Sequence, residues 1–573
     1  MQHKIYCAIA LCALLVLCGY AGADEAEPEI AYDENGIPYV VGEVIVKYTS
    51  NVAALRMASS PEDSQTMEML SFSVEGDLSD VSPGMHIASV DGDIPLETVI
   101  SSLESSPFVE YVEPNYYISL SLPEEPIPVD EEALSALSVD FMMEQLSNDP
   151  MIGSQWGLTK ISADKAWKKT TGKKEIVIAV IDTGVDFTHP DLAANIWVNT
   201  GEIPNNGIDD DGNGYIDDYY GYDFINKKPE PMDDNGHGTH VAGIIGAVGN
   251  NGVGIAGTDW SVKIMPLKFL RSNGGGDTLA AINAINYAKS MGADIISCSW
   301  GGEGMSQAIG DAISQTNKLF VFAAGNGGSD AVGDNNDLNP HYPSNFGYQN
   351  MIVVTASDKD DRLASFANYG ASKVDVAAPG VAILSTYPTS KNSYVEMKGT
   401  SMATPFVSGI AGLMLAVNPS LSPSSLKSLL MQNVDKASAL NGKVKSGGRV
   451  NAEKAVAAAG GGGSSVPTTP VVTQSPTKDP TPVATQTPTK TPTLAPSISV
   501  KPFPGLLVSP TDPNGDGLYE DLNGNGRADF NDIVMFFNNM EWIIANQPVA
   551  AFDFSKNGRI DFSDIVKLFE SIA

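Results

Sequence analysis

At 573 residues the chain is too long for one compact domain, since a domain takes roughly 150 residues, and a lone binding module is excluded. A hydrophobic content of 42% with 8% aromatics excludes wholesale disorder. Lys plus Arg total 34 against 69 Asp plus Glu, and the resulting net charge of −35 argues against nucleic acid and anionic membrane surfaces as partners. Charged residues make up only 18%, so the acidity reflects scarce bases. That favours local carboxylate clusters and directs attention to cations.

Residues 1–23 combine Lys4, an apolar run from Ile5 to Leu17 and the small-residue exit Ala21-Gly22-Ala23. The pattern predicts a cleaved secretory signal and hence a secreted, extracellular or cell-surface protein. Cys7, Cys12 and Cys18 lie in that segment and leave Cys298 alone in the exported chain. No intrachain disulfide is then possible, and metal is the expected substitute staple. No later apolar run reaches membrane-helix length, so no integral membrane segment is expected in the mature chain.

Gly42 to Tyr48 alternates like a strand, and His86 to Val90 predicts a second. Leu96, Val99, Ile100 and Leu103 have helical spacing, and Phe108 to Val112 returns to strand. This is a small α+β unit over about 42–120 inside a segment 24–147. Between 148 and 459, apolar runs at Ile176–Ile181, Lys263–Leu267, Ile295–Ser299, Leu319–Ala323 and Ile352–Thr355 alternate with helices. Such alternation predicts βαβ units, an α/β fold with a parallel sheet flanked by helices. A Thr/Pro-rich tract over 460–511 reads as an extended linker. The last stretch, 512–573, repeats itself: the ten residues from Asn525 recur from Asn557.

Three motifs carry chemistry. The first apolar strand ends in Asp182-Thr183-Gly184, where open parallel sheets place their sites. Asn235-Gly236-His237-Gly238-Thr239-His240 sets a histidine between two glycines, which let other backbone approach the ring. Gly399-Thr400-Ser401-Met402-Ala403-Thr404-Pro405 sets a serine at the start of an apolar helix. Serine-based acyl transfer needs a hydroxyl, a neutral imidazole and a carboxylate that orients it. These motifs, in the order Asp, His, Ser, resemble the subtilisin-like serine proteases over about Gln155 to Ala458. The resemblance implies a subtilisin-like fold and peptide-bond hydrolysis by a serine endopeptidase acting on polypeptide substrates. It makes Asp182 the orienting carboxylate, His237 the general base and acid, and Ser401 the nucleophile. Asn326, in Ala323-Ala324-Gly325-Asn326, becomes the oxyanion donor. It also implies that an extended substrate pairs with Ser299-Trp300-Gly301 on one side and Gly274-Gly275-Gly276 on the other. His240, His189 and Cys298 read as packed structural residues.

The N-terminal α+β unit, ending in Val112-Glu113-Pro114-Asn115, resembles the propeptide of this family, which implies a self-processing zymogen inhibited by its own propeptide. Asp209, Asp211, Asn213, the Tyr215 carbonyl and Asp217 fall at positions 1, 3, 5, 7 and 9 of an EF-hand-like loop with Gly214 at position 6. That spacing predicts structural Ca2+, with Asp218 or Asp223 to complete the shell. Asp521, Asn523, Asn525, Asp529 and Asp532, then Asp553, Ser555, Asn557, Asp561 and Asp564, repeat positions 1, 3, 5, 9 and 12. This pair resembles dockerin modules and predicts a small EF-hand-like helical module with calcium and a cohesin-like or cell-surface partner. The rival to a calcium-stabilised protease is a non-catalytic extracellular binding scaffold assembled through that module.

Overall fold

The computed structural model describes residues 27–49, 61–120, 126–128 and 147–461 except 328, 329 and 392. Toward the C-terminus it describes 500–501, 509–512, 518–522, 536, 540–556, 558–560, 564 and 567–568. The leader segment, most of the linker over 460–511, and Asn523, Asn525, Asp529, Asp532, Asn557 and Asp561 lie outside the described residues. The chain separates into two compact units, Met1–Pro467 and Thr468–Ala573.

In the first unit the N-terminal part is the expected α+β element. Its strands are β1 (Pro38–Tyr48), β2 (Ser73–Asp77), β3 (Met85–Ser89) and β4 (Val109–Ser119), with helix α1 (Leu96–Glu104) between the last two. All pair antiparallel in the order β4-β1-β3-β2. One face packs α1 through Leu96, Val99 and Leu103 against Val44, Val46 and Val112. β4 runs seven residues past the expected end at Val112. The chain stays extended through Glu113-Pro114, where Pro114 pairs with Val44.

The larger part is built on β5 (Val177–Asp182), α2 (His237–Gly246), β6 (Lys263–Lys268), β7 (Gly275–Asp277) and α3 (Thr278–Ser290). It continues with β8 (Ile295–Cys298), α4 (Gln307–Ser314), β9 (Leu319–Ala323), β10 (Met351–Ser357), β11 (Val376–Pro379) and α5 (Thr400–Val417). Among the described residues the main sheet has nine strands, ordered Asp435–Lys436, Gly448–Arg449, β11, β10, β9, β8, β5, β6, Tyr222–Asp223. Only the outermost pair at Asp435–Lys436 is antiparallel. Its central strands are buried on both faces, which is why they read as unbroken apolar runs. One face packs α2 and α5 and the other α3 and α4.

α5 is long and apolar enough to cross a membrane, contrary to the expectation that no such segment exists, but 94% of its apolar window is buried inside the molecule. It is the core helix of the sheet's first face.

Candidate active site

Asp182 is the last residue of β5, and His237 the first of α2. The two glycines beside His237 are required by what they touch. A Cβ on Gly238 would stand 2.0 Å from the Gly184 carbonyl and 3.1 Å from Asp182 Oδ1, and one on Gly236, at φ +119°, would meet the Tyr387 ring at 2.2 Å. With both Cβ atoms absent, His237 Nδ1 lies 2.7 Å from Asp182 Oδ1, and both side chains are buried. Thr183 N–H donates to that same carboxylate oxygen at 2.7 Å.

Ser401 is the second residue of α5. Four residues on, Pro405 lacks the N–H that would satisfy the Ser401 carbonyl. Ser299 Oγ donates to that carbonyl instead, at 3.0 Å, and Ser401 Oγ donates back to the Ser299 carbonyl at 3.2 Å. Ser299 directly follows β8, the strand beside β5, so the serine is brought to the sheet end that carries Asp182. Asn326 lies three residues past the end of β9, the strand on the other side of β8. Its Oδ1 accepts from Thr400 N–H at 3.0 Å and Thr400 Oγ1 at 3.1 Å, which fixes the amide plane next to Ser401 with Oδ1 occupied.

The loop before His237 is pinned by Asp233, whose buried carboxylate accepts from Thr183 Oγ1, the N–H groups of Asn235, Gly236 and Thr239, and Thr239 Oγ1. Burial raises its pKa against the pull of those donors. His240, one turn beyond His237, is a packed residue as expected: Nε2 sits 3.2 Å from the Val395 carbonyl, and burial lowers its pKa to about 3. His189 is held by the Ser393 carbonyl at 3.0 Å. Burial pushes the Cys298 thiol well up, so it stays protonated and inert.

The edge at Gly274–Gly276 pairs with an extended chain, and the chain it pairs with is β4. Ser119, Ile118 and Tyr117 lie opposite Gly275, Gly276 and Asp277, and Leu120 N–H donates to the Gly274 carbonyl at 3.0 Å. The segment Val112–Asn115 also caps both outer helices. Asn115 Oδ1 accepts from Leu279 N–H at 3.0 Å at the start of α3, and Glu113 accepts from Ser306 Oγ at 2.5 Å and Gln307 N–H at 2.7 Å at the start of α4. Next to the paired edge opens a cleft of about 860 Å3, lined by Tyr116 to Leu120 on one wall and by Trp300, Gly301, Gly302, Asn326 and His341 on the other. The Trp300 indole itself is buried against Phe269 and Phe322, with ring centroids 4.7 and 5.7 Å away. Gly302 bonds to Tyr342 in both directions.

The acidic loop draws in a carboxylate from outside the EF-hand spacing. Asp209 and Asp211 come together as expected, but the third carboxylate with them is Glu202, and the three ligand oxygens lie within 4.8 Å of one another. Asp217 is turned onto the N–H groups of Asn206 and Gly207, both at 2.9 Å. Asn213 spends Oδ1 on Tyr215 N–H at 2.8 Å. Asp218 is taken by Tyr287 OH at 2.5 Å, and Asp223 by Ile225 and Asn226 N–H at 3.0 Å. Glu202 precedes the motif by seven residues and no spacing rule points to it; its burial in an acidic insertion is the only signal. Lys268 and Asp233 were also missed, although a lysine that ends an apolar central strand is an anomaly visible in sequence.

In the second unit, described residues of the repeat make first contacts between loop positions. Ser555 N–H donates to Asp564 Oδ1 at 2.8 Å, Gly558 N–H to Asp553 Oδ2 at 2.7 Å, and Thr511 Oγ1 to Asp521 Oδ2 at 2.5 Å.

A parallel α/β sheet with a buried Asp–His pair and a serine at the same strand ends defines a serine hydrolase of the subtilisin type. Residues 173–458 match the Subtilase family, and residues 25–115 match the fervidolysin N-terminal prodomain. Thermitase of Thermoactinomyces vulgaris is 40% identical over 314 residues, 54% of this chain and 98% of the relative. The thermophilic serine proteinase of Bacillus sp. strain AK1 is 34% identical over 422 residues, 73% of this chain and 88% of that protein. A solved structure of fervidolysin from Fervidobacterium pennivorans, a keratinolytic enzyme related to subtilisin, shares the fold with TM-score 0.58 at 24% identity, covering 75% of this chain and 64% of that one. The chain belongs to the subtilase family. It is a subtilisin-like serine endopeptidase that carries an N-terminal prodomain.

Proposed function

We propose that this protein is a secreted, calcium-stabilised endopeptidase made as a self-processing zymogen, with Asp182, His237 and Ser401 as its triad and Asn326 as an oxyanion donor. The observation that carries the reading is the buried 2.7 Å contact between Asp182 Oδ1 and His237 Nδ1. With Nδ1–H directed at the carboxylate, Nε2 is the basic nitrogen. The Ser401 proton, donated to the Ser299 carbonyl at rest, passes to Nε2 as Oγ attacks the scissile carbonyl. His237 then carries it to the leaving amine, while Asp182 stabilises the imidazolium. The Asn326 side-chain N–H groups, its Oδ1 being held by Thr400, and the Ser401 backbone N–H meet the oxyanion. Water repeats the cycle on the acyl-enzyme.

The prodomain inhibits by adding β4 to the edge at Gly274–Gly276, so Tyr117 to Leu120 occupy the place of an extended substrate. The chain after Leu120 leads toward the maturation cut, between Pro123 and Asn148. Ser299, Trp300 and Gly301 form the opposite edge in the substrate complex.

Glu202, Asp209 and Asp211 offer hard oxygen donors of the kind Ca2+ takes, and calcium would tie the insertion together there. The repeat after Asp512 is read as a calcium-folded, dockerin-like module with a cohesin-like or cell-surface partner. The export reading rests on the pattern of residues 1–23.

Fluorophosphonate labelling tests the catalytic reading: Ser401 takes the label, and Ser401→Ala neither labels, hydrolyses peptide, nor matures when purified away from other proteases. Normal maturation of that variant would sink self-processing, and an unlabelled parent would favour the binding scaffold.

A further inference from the structure

Lys268 ends β6 in register with Asp182 on β5. It is 1% exposed, one of the largest fully buried side chains. A buried ammonium is tolerated only when its protons are accepted. Nζ donates to the Thr183 carbonyl at 2.9 Å, the Leu270 carbonyl at 2.6 Å and Asp234 Oδ1 at 2.9 Å.

These acceptors lie on three different segments of the site. Thr183 is the residue whose N–H holds Asp182 Oδ1. Asp234 sits between Asp233 and Asn235, and Asn235 Oδ1 accepts from His237 N–H at 3.1 Å. Leu270 bridges to Gly276 on the edge that pairs with the prodomain. A residue needed only to fill the core would be apolar here, as Leu267 and Phe269 beside it are. A buried charge that spans three segments bears instead on their relative placement.

We propose that Lys268 is a positioning residue for peptide hydrolysis, holding the Asp182–Thr183 turn, the loop before His237 and the substrate edge to one ammonium whose charge biases His237 toward its neutral form. The inference rests on the general-base reading of His237 given above.

The sign follows from the charges that face this region. Lys268 disfavours an imidazolium. Asp234 opposes it, but its side chain is 50% exposed and solvent screens it. Asp182 and Asp233 are buried, and burial keeps the His240 imidazole and the Cys298 thiol uncharged. Lys391, which donates to the Asp234 and Asn235 carbonyls, is exposed and screened. Removing the Lys268 charge should therefore raise the pH at which His237 loses its proton, and removing the Asp234 charge should lower it.

The test is the acid limb of kcat/KM on full-length, matured enzyme, with active sites counted by fluorophosphonate titration. Lys268→Met should move the limb up by roughly 0.5 pH unit or more and lower kcat per titrated site at least tenfold. Lys268→Arg should recover most of both. Asp234→Asn, at a half-exposed position that tolerates change, should move the limb down and remains informative if Lys268→Met fails to fold. A limb left in place by Asp234→Asn, or by folded Lys268→Met, overturns the inference. A parent that takes no label or shows no acid limb overturns the general-base reading instead.

Discussion

Two acid-rich regions of this molecule carry nearly the same run of oxygen donors, and they rest on different foundations. The insertion at Asp209 is anchored by ring packing and buried hydrogen bonds. The Tyr215 ring packs on Tyr222, Phe224 and Tyr287, with centroids 4.7 to 5.7 Å away, and buried Asp218 collects Tyr287 OH and the amides of Asn199 and Asn213. Beneath it lies the core of the whole catalytic sheet. In the second unit the described core is a small cluster of Leu522, Phe536, Ile543, Ala551, Phe552, Phe554, Ile560 and Leu568. Ligand spacing marks where a cation fits, whereas the size of the core decides whether the fold depends on it.

The largest effect should therefore appear in the smaller region. The isolated segment from Asp512 to Ala573 should lose most of its helical circular dichroism in chelator and regain it with calcium, because the metal free energy is then its folding free energy. Asp521→Ala with Asp553→Ala should keep it unfolded at any calcium level. Helicity indifferent to calcium would erase the contrast.

In the catalytic region the vulnerable feature is chemical. Asn326→Ala should lower kcat by roughly 10²- to 10³-fold, the loss measured for such a donor in subtilisin itself, with KM little changed and the melting temperature held. A change confined to KM would remove Asn326 from the oxyanion site.

The parts of this architecture that the sequence made legible are those whose partners are local or whose chemistry demands special backbone. Leu319–Ala323 was readable to the residue, since a parallel strand buried on both faces is an apolar run. The motifs around Asp182, His237 and Asn326 stood out in the sequence because close approach at Gly184, Gly236, Gly238 and Gly325 requires glycine. β4 was read short at Val112, because the edge that extends it, Gly275–Asp277, lies more than 150 residues away. Glu202 was invisible for the same reason, and Lys268, although odd at the end of an apolar strand, gave no hint of the three segments that the fold brings to its ammonium.

The prodomain contact adds a pH-dependent effect of intermediate size. Glu113, buried at the start of α4, has its pKa raised by burial to about 7 against the pull of Ser306, Gln307 and Ala308. A carboxyl whose pKa is higher in the complex than when free favours the complex at low pH. That contribution is fully present below about 4.5 and is lost as pH rises through 7. Prodomain supplied in trans should thus inhibit more weakly as pH climbs from 4.5 to 7, by up to about tenfold per unit. Glu113→Gln should flatten the profile, and a parent profile already flat over that range would contradict it.

The smallest effect should come from metal removal at the Asp209 loop, and it separates two ligand sets. At a calcium level a hundredfold above Kd, one bound ion adds about 2.7 kcal/mol. At roughly 2.1 cal/mol/K per residue a domain of about 310 residues shifts by about 1.5 °C per kcal/mol, so chelation should lower the melting temperature of the catalytic unit by roughly 4 °C without unfolding it at 25 °C. The EF-hand spacing assigns a ligand to Asp217 and none to Glu202. Both carboxylates accept backbone N–H groups, Glu202 from Asp210, Asp211 and Asp217 and Asp217 from Asn206 and Gly207, but only Glu202 has an oxygen grouped with those of Asp209 and Asp211. Glu202→Gln should accordingly abolish most of the calcium-dependent increment, whereas Asp217→Asn, which keeps an acceptor for one of its two N–H partners, should preserve most of it. The reverse pattern would show that the insertion closes on calcium in the EF-hand manner after all. The two acid-rich regions would then differ only in the core beneath them, not in how they hold the ion.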